Sequence, residues 1–100
     1  MNNRIGTKYE IKSTKQFDKE LKKVNKQGKD LKKLEFVVNV LANGEELDAK
    51  YRNHRLIDNK YYKDCYECHI ETDWLLIYKY LNDELILLLF ETGSHSDLFN

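Results

Sequence analysis

The spacing of hydrophobic residues changes near residue 45 of the chain. In the stretch before it, apolar residues recur every three or four positions, which is typical of amphipathic helices. After residue 60, runs of aromatic and aliphatic residues are separated by short polar breaks, which is typical of strands joined by turns. The pattern predicts helices in the first half and a sheet in the second.

A strand and a helix are predicted at the start. Residues 7–12 alternate polar and apolar, which puts Tyr9 and Ile11 on one face of a half-buried strand. Ser13 heads the capping-box pattern Ser-Thr-Lys-Gln, so we expect it to be the N-cap of a helix that ends at about Gln27.

Asp30 is in position to cap a second helix that ends near Ala42, before Asn43 and Gly44. Its apolar stripe consists of Leu31, Leu34, Val38 and Leu41. The short link between the helices predicts an antiparallel pair that covers one face of a sheet.

The second half is predicted to be a meander. Its strands are expected at residues 54–57, 61–70, 74–80 and 85–91. Polar pairs at 58–59 and 82–83 are predicted turns, and the strand at 74–80 is apolar enough to be buried on both faces. The predicted fold class is α+β, with two antiparallel helices packed on one face of a mostly antiparallel sheet of four to five strands.

Size and composition indicate one globular domain spanning residues 1–100, with 41% hydrophobic residues. The sequence has no run of the roughly 20 apolar residues that cross a bilayer. Its start, Met-Asn-Asn-Arg-Ile-Gly, lacks the apolar core of a signal peptide. We therefore expect a cytoplasmic protein.

Positive charge is concentrated in the first third of the chain. Residues 1–35 hold eleven Lys or Arg and five acidic residues, whereas the remaining residues hold six and twelve. A basic face can bind polyanions by releasing counterions from their phosphates, or it can be a solvated helix surface. Composition leaves both interpretations open.

The cysteines, Cys65 and Cys68, are three positions apart in a predicted strand and should point to opposite faces. That spacing argues against a disulfide between them and against chelation of one ion. Buried, reduced thiols are the expected state.

The three histidines lie in or next to predicted strands. A meander brings His69 and Asp73 to one hairpin, and His54 and His95 could join them on the same sheet face. Imidazole titrates near neutral pH, so one histidine can take a proton while another supplies one. Cleavage of RNA by its own 2′-hydroxyl needs this pair of roles. A single histidine is more often structural, and three can also bind a metal ion.

Three blocks around these histidines resemble the YafQ branch of the RelE/ParE toxin superfamily. They are His54-Arg55-Leu56, residues 67–79 (Glu-Cys-His-Ile-Glu-Thr-Asp-Trp-Leu-Leu-Ile-Tyr-Lys) and residues 92–99 (Thr-Gly-Ser-His-Ser-Asp-Leu-Phe). Their order and spacing match, and the predicted elements follow the family's plan over nearly the whole chain. The resemblance implies a ribosome-dependent messenger-RNA endonuclease that needs no metal or cofactor. It would be the toxin of a type II toxin–antitoxin pair, inhibited by a cognate antitoxin.

The resemblance also implies the site. His54, His69, Asp73 and His95 would form the active site, and Phe99 would position the RNA. His69 or His54 would accept a proton, His95 would donate one, and Asp73 would orient a neighbouring imidazole and favour its charged form. The family's basic helices lie against ribosomal RNA, which implies an RNA- or ribosome-binding set. The set is Lys15, Lys19, Lys22, Lys23, Lys26, Lys29, Lys32, Lys33, Arg52 and Arg55.

The sequence departs from the family pattern at three positions. Many relatives have arginine where Glu91 stands, a basic residue where Tyr66 stands, and proline where Thr72 stands. Stabilisation of the pentacoordinate phosphate could then fall to Arg52, Arg55, Lys60 or Lys63.

Two rival interpretations remain open. A protein of the same fold could act by binding an antitoxin or gyrase, as a ParE-like or catalytically weakened toxin. A small metal protein could use Cys65, Cys68 and the histidines. For the preferred reading, the expected partners are the antitoxin, the ribosome and messenger RNA, with a monomeric toxin that forms a higher-order complex with its antitoxin and no membrane association.

Overall fold

The computed structural model describes residues 7–57 and 60–99, which form a five-stranded sheet and three α-helices. The strands are β1 (Glu10–Ser13), β2 (His54–Arg55), β3 (Tyr66–Glu71), β4 (Trp74–Leu81) and β5 (Ile86–Gly93). The helices are α1 (Lys15–Lys26), α2 (Leu31–Ala42) and α3 (His95–Phe99), and short 3-10 helices lie at Ala49–Tyr51 and Asn82–Glu84. No helix in the described part of the chain is long and apolar enough to cross a membrane.

The sheet has the spatial order β1-β5-β4-β3-β2. Strands β2 to β5 form the predicted antiparallel meander. Strand β1 lies parallel to β5, with Ile11 opposite Leu87. Parallel neighbours need a crossover connection, and the chain from α1 to β4 provides it. The predicted α+β class and mostly antiparallel sheet are confirmed.

Helix α1 starts one residue later than predicted. Thr14 is the N-cap, and its hydroxyl accepts a hydrogen bond from the Phe17 N–H at 2.9 Å. Ser13, the predicted cap, belongs to β1, and its hydroxyl donates to Asp18 at 2.6 Å. Because the strand extends to residue 13, the next residue is the first that can cap the helix.

Helix α2 is capped by Asp30 as predicted, since its carboxylate accepts from the Lys32 N–H at 3.0 Å. Gly28 follows α1 and Gly44 follows α2, with φ of 81° and 74°. That left-handed backbone suits glycine and ends both helices at the predicted places.

The strand predicted at residues 61–70 is wrong over its first half. Residues 61–64 form a turn in which Asp64 has φ 60°, and β3 begins only at Tyr66. Tyr62 is nevertheless buried, and a bulky aromatic residue that is buried in a turn gives the same sequence pattern as one in a strand. The other predicted strands shift by up to three residues at one end. The turn predicted at 58–59 lies outside the described residues.

The two faces of the sheet pack against different partners. Helices α1 and α2 cover one face, as predicted, and both contribute to the core cluster that includes Cys68, Trp74 and Leu76. A smaller cluster on the second face contains Tyr62, Cys65 and Ile77. Leu98 and Phe99 of α3 pack against it, together with Leu56 and Phe90. This cluster is the apolar docking place that α3 requires.

Candidate active site

The second face of the sheet carries two of the predicted histidines. Alternate residues of β3 point to the helices, Cys68 among them, so Glu67 and His69 point to the second face. His54 of β2 pairs directly with Glu67, and Glu67 pairs with Ile77 of β4. Cross-strand pairs share a face, so His54, Glu67 and His69 are neighbours.

Glu67 lies between the two imidazoles. Its Oε1 atom is 3.4 Å from Nε2 of His54 and 3.6 Å from Nε2 of His69. The Glu67 side chain is 7% exposed, against 51% for His54 and 19% for His69. A largely buried carboxylate oxygen therefore faces Nε2 of both imidazoles.

Main-chain carbonyls fix the opposite edge of both rings. Nδ1 of His54 lies 2.8 Å from the Arg52 carbonyl oxygen, and Nδ1 of His69 lies 3.4 Å from that of Thr72. A carbonyl only accepts hydrogen bonds, so this geometry favours a hydrogen on each Nδ1. Each Nε2 is then the atom that can take up and release a proton, in front of Glu67.

Arg52 places its carbonyl by adopting an uncommon backbone. It follows the 3-10 helix Ala49–Tyr51 and has φ 50°, in the left-handed region. Non-glycine residues in this region carry a cost in conformational free energy, and they cluster at functional sites.

His95 belongs to a second group, at the start of α3. The Asp73 carboxylate accepts a hydrogen bond from the His95 main-chain N–H at 3.0 Å, and the rings of His95 and Phe99 are 4.9 Å apart. The family resemblance implies that Asp73 orients an imidazole. In the structure it instead holds the backbone of a residue that carries one, because the first N–H groups of a helix lack helical partners.

The two groups meet at the β3–β4 turn. Thr72, whose carbonyl faces His69, immediately precedes Asp73, which holds His95. In the described ranges, no hydrogen bond joins the His95 ring to His54 or His69. The structure therefore brings His54 and His69 together around Glu67, and it ties the backbone of His95 to the turn that follows His69.

Glu67 was not predicted as a site residue. It is two positions before His69 in a strand, so sequence alternation alone would have placed it on the same face. Its pairing with His54 depends on strand register, which the sequence does not display.

A cationic cleft of about 960 Å³ opens beside His69 and Asp73. We call it the lysine cleft. Its basic residues are Lys29, Lys32, Lys33, Lys50 and Arg52. Phe36 and Tyr51 add aromatic surface, and Phe36 is 56% exposed. Four of these cations were predicted, whereas Lys50 was not.

Glu71 neutralises part of the lysine cleft. Its carboxylate lies 2.8 Å from Nζ of Lys33 and 3.4 Å from Nζ of Lys29. The hydrogen bond from Lys33 lowers the pKa of Glu71 and raises that of Lys33, so both stay charged near neutral pH.

The remaining predicted cations lie elsewhere. Lys15, Lys19 and Lys22 line a shallow depression on α1. Lys23 pairs with Asp97 at 3.2 Å, and Lys26 is exposed on α1. Arg55 pairs with Asp64 at 2.8 Å. The predicted RNA-binding set is therefore divided between the cleft, the outer side of α1 and β2.

Glu91, where the family resemblance implies an arginine, is buried on the second face. Its carboxylate accepts hydrogen bonds from the hydroxyls of Tyr61 at 3.0 Å and Tyr62 at 2.8 Å. The bond to Glu91 raises the pKa of Tyr61, and burial together with Glu91 raises that of Tyr62. Both tyrosines remain hydrogen-bond donors at neutral pH.

The cysteines are free and lie in different packing clusters, Cys68 under the helices and Cys65 on the second face. Burial raises the pKa of both thiols, that of Cys68 to about 12. Within residues 7–57 and 60–99, no group of three His, Cys, Asp or Glu side chains has the geometry of a metal site. The separation of the thiols argues against the metal-protein interpretation.

Comparison with known proteins identifies the family. The model of the family described as the bacterial toxin of type II toxin–antitoxin system, YafQ, matches residues 9–100. The mRNA interferase toxin YafQ of Escherichia coli strain B / BL21-DE3 is 42% identical over 93 residues, covering 90% of this chain and 95% of that protein.

Solved structures agree with the sequence match. YafQ in the E. coli DinJ-YafQ complex superposes with a TM-score of 0.82 at 34% identity, over 92% of this chain and 99% of that one. A metal-bound toxin from Helicobacter pylori gives a TM-score of 0.83 at 45% identity, over 89% and 97%. The chain therefore belongs to the YafQ family of bacterial toxins of type II toxin–antitoxin systems.

Proposed function

We propose that this protein is a ribosome-dependent messenger-RNA endonuclease and the toxin of a type II toxin–antitoxin pair. Its relatives at 41% and 42% identity are mRNA interferase toxins. The observation that carries the proposal is that His54 and His69 present Nε2 within 3.4 and 3.6 Å of one buried carboxylate, beside the turn that holds His95.

The proposed reaction is metal-independent attack by the RNA 2′-hydroxyl. Nε2 of His69 or His54 accepts the hydroxyl proton, and the freed oxygen attacks the adjacent phosphorus. The bond from phosphorus to the 5′-oxygen breaks, and His95 donates a proton to that leaving oxygen. The products are a 2′,3′-cyclic phosphate and a 5′-hydroxyl.

The other site residues position these groups. Glu67 holds both imidazoles at one edge, and Asp73 fixes the backbone of His95. The Phe99 ring lies against that of His95, where it can also meet a nucleobase of the message.

The lysine cleft and the outer side of α1 are proposed to bind ribosomal RNA. Lysine and arginine contacts to phosphates position a protein on nucleic acid without reading its sequence. The cleft opens beside His69, so RNA held there would lie close to the reacting groups.

A cognate antitoxin is the proposed protein partner, by analogy with the DinJ-YafQ complex of E. coli. An amphipathic or extended antitoxin segment would cover the histidines and block access of RNA. We further propose that the free toxin is monomeric, that it assembles with its antitoxin into a higher-order complex, and that it acts in the cytoplasm.

Cleavage of ribosome-bound message by the purified protein tests this function. His95→Ala and His69→Ala should each reduce the cleavage rate at least about 100-fold, which is the scale of general acid–base catalysis. A 2′-deoxy nucleotide at the cut site should abolish breakage. Glu84→Ala, at the opposite end of β4, is the control and should cleave at the wild-type rate.

The second candidate function is a weakened or ParE-like toxin that acts only by binding antitoxin or gyrase. Glu91 in place of the family arginine favours it. Growth arrest by the wild-type protein with intact message, unchanged in His95→Ala, would establish that alternative and reject the nuclease.

A further inference from the structure

Glu91 stands where the family resemblance implies an arginine suited to binding phosphate, but its surroundings in the structure are those of a buried hydrogen-bond acceptor. Glu91 is only 5% exposed, and each of its carboxylate oxygens accepts a hydrogen bond from a tyrosine hydroxyl. A buried anion with both oxygens occupied cannot contact an RNA phosphate. Position 91 therefore has another role in this protein.

Tyr62 links Glu91 to α3. Its hydroxyl lies 2.8 Å from Oε2 of Glu91 and 3.2 Å from the carbonyl oxygen of Leu98, so one hydrogen is shared between them. Its ring also lies edge-on to Phe99, with centroids 5.5 Å apart. Tyr62 thus makes a hydrogen bond and an aromatic contact to the C-terminal end of α3.

Helix α3 needs such contacts. It has five residues, fewer than an isolated helix needs to be stable in water. Its last carbonyl oxygens, including that of Leu98, lack helical partners. At its other end the helix is held by Asp73, and the exposed ion pair between Lys23 and Asp97 adds little.

We propose that Glu91 and Tyr62 form a positioning pair that fixes α3, and with it His95 and Phe99, in place of the arginine of the relatives. The role in catalysis rests on the proposed nuclease function, whereas the role in placing α3 does not. The carboxylate sets the direction of the Tyr62 hydroxyl, and the hydroxyl then holds the C-terminal end of α3.

Amide hydrogen exchange in the free protein tests the placement of α3. Tyr62→Phe keeps the ring and removes the hydroxyl, so exchange at residues 95–99 should accelerate about tenfold while exchange in β4 and β5 stays unchanged. Tyr61→Phe is the matched control. It removes a hydroxyl from the other oxygen of the same carboxylate, whereas the hydrogen bond from Tyr62 to Leu98 stays, so exchange in α3 should stay within about twofold of wild type.

Cleavage of ribosome-bound message tests the consequence for catalysis. Tyr62→Phe should lower kcat about tenfold and change KM less than about twofold, because α3 moves while the RNA-binding cations stay in place. Glu91→Gln should retain most activity, since an amide oxygen still accepts from Tyr62.

Glu91→Arg separates the positioning pair from a simple loss of the phosphate-binding arginine. It removes the carboxylate that sets the direction of the Tyr62 hydroxyl and puts a cation beside both tyrosines, so exchange in α3 should rise and kcat should fall. Higher cleavage than wild type in Glu91→Arg would overturn the proposal, as would unchanged α3 exchange in Tyr62→Phe. If α3 exchanges faster in Tyr62→Phe than in the wild type but the wild-type protein cleaves no message, the positioning pair is retained and the nuclease function is rejected.

Discussion

At the scale of single residues, the junction of β4 and β5 contains a fully buried chain of hydrogen bonds. The Trp74 indole N–H donates to the Thr92 hydroxyl at 3.0 Å, and that hydroxyl donates to the Leu75 carbonyl at 2.8 Å. Trp74 is 0% and Thr92 1% exposed. Thr92 lies three residues before His95, so this chain supports the strand end from which α3 departs.

Thr92→Val should destabilise the protein by about 1–3 kcal/mol. Valine has nearly the same shape but leaves the Trp74 N–H buried without an acceptor, and such a group carries its full desolvation cost. Urea unfolding followed by tryptophan fluorescence measures the loss. Thr92→Ser keeps the hydroxyl and should lose about 1 kcal/mol or less, for the missing methyl group. Equal losses in both variants would show that the methyl group, rather than the hydroxyl, matters.

The sequence was more informative about which residues belong to the candidate site than about which side chains they contact. The resemblance singled out His54, His69, Asp73, His95 and Phe99. In the structure His69, Asp73 and His95 have contacts at the β3–β4 turn, His54 shares Glu67 with His69, and Phe99 contacts the His95 ring. The contacts of Glu67 and Asp73 depend on strand register and on where α3 begins. Neither quantity has a local signature in the sequence, because both are set by pairing between distant segments.

At the scale of secondary-structure elements, helices were predicted more accurately than strands. Both long helices end within about one residue of the predicted positions, since capping residues and glycines mark them locally. The strand predicted from residue 61 failed because Tyr62 is buried in a turn. Apolar character reports burial, and it reports strand conformation only indirectly.

Replacing Thr14 by alanine should cost about 1–2 kcal/mol, the usual range for an N-cap. Thr14 accepts from the Phe17 N–H and also donates to the Phe90 carbonyl at 2.6 Å, which ties α1 to β5. Ser13→Ala is the control, because Ser13 only reaches the exposed Asp18 side chain. It should change the free energy of unfolding by less than about 0.5 kcal/mol. A larger loss in Ser13→Ala than in Thr14→Ala would restore the serine as the cap.

At the scale of the whole molecule, opposite charges are arranged so that the basic surface is only partly free. Glu71 pairs with Lys29 and Lys33 inside the lysine cleft, and Asp97 pairs with Lys23 on α1. Exposed pairs of this kind add little to stability. Their main effect is to reduce the positive potential that a phosphate backbone meets.

Glu71→Gln should therefore strengthen binding to the ribosome and steepen its salt dependence. Each additional phosphate contact raises the slope of log affinity against log salt concentration by about 0.7–0.9, so the two released lysines should add about one to two units. The slope is obtained by measuring ribosome binding between 50 and 200 mM salt, a range over which the affinity of phosphate contacts changes strongly. Glu84→Gln removes the same charge at the far end of β4 and should leave the slope unchanged. Equal slopes for the two variants would indicate that the cleft makes no phosphate contacts.

The position of β5 constrains how this protein can be made. It is the last strand in the sequence, yet it lies between β1 and β4, and α1 packs against it. Residues 10–26 therefore emerge from the ribosome early, and the strand that pairs with β1 and packs against α1 follows only when residues 86–93 are synthesised. Closing so long a loop is slow relative to local folding. The sheet that carries His54 and His69 is thus completed only when β5, the last strand to be synthesised, has paired with both β1 and β4.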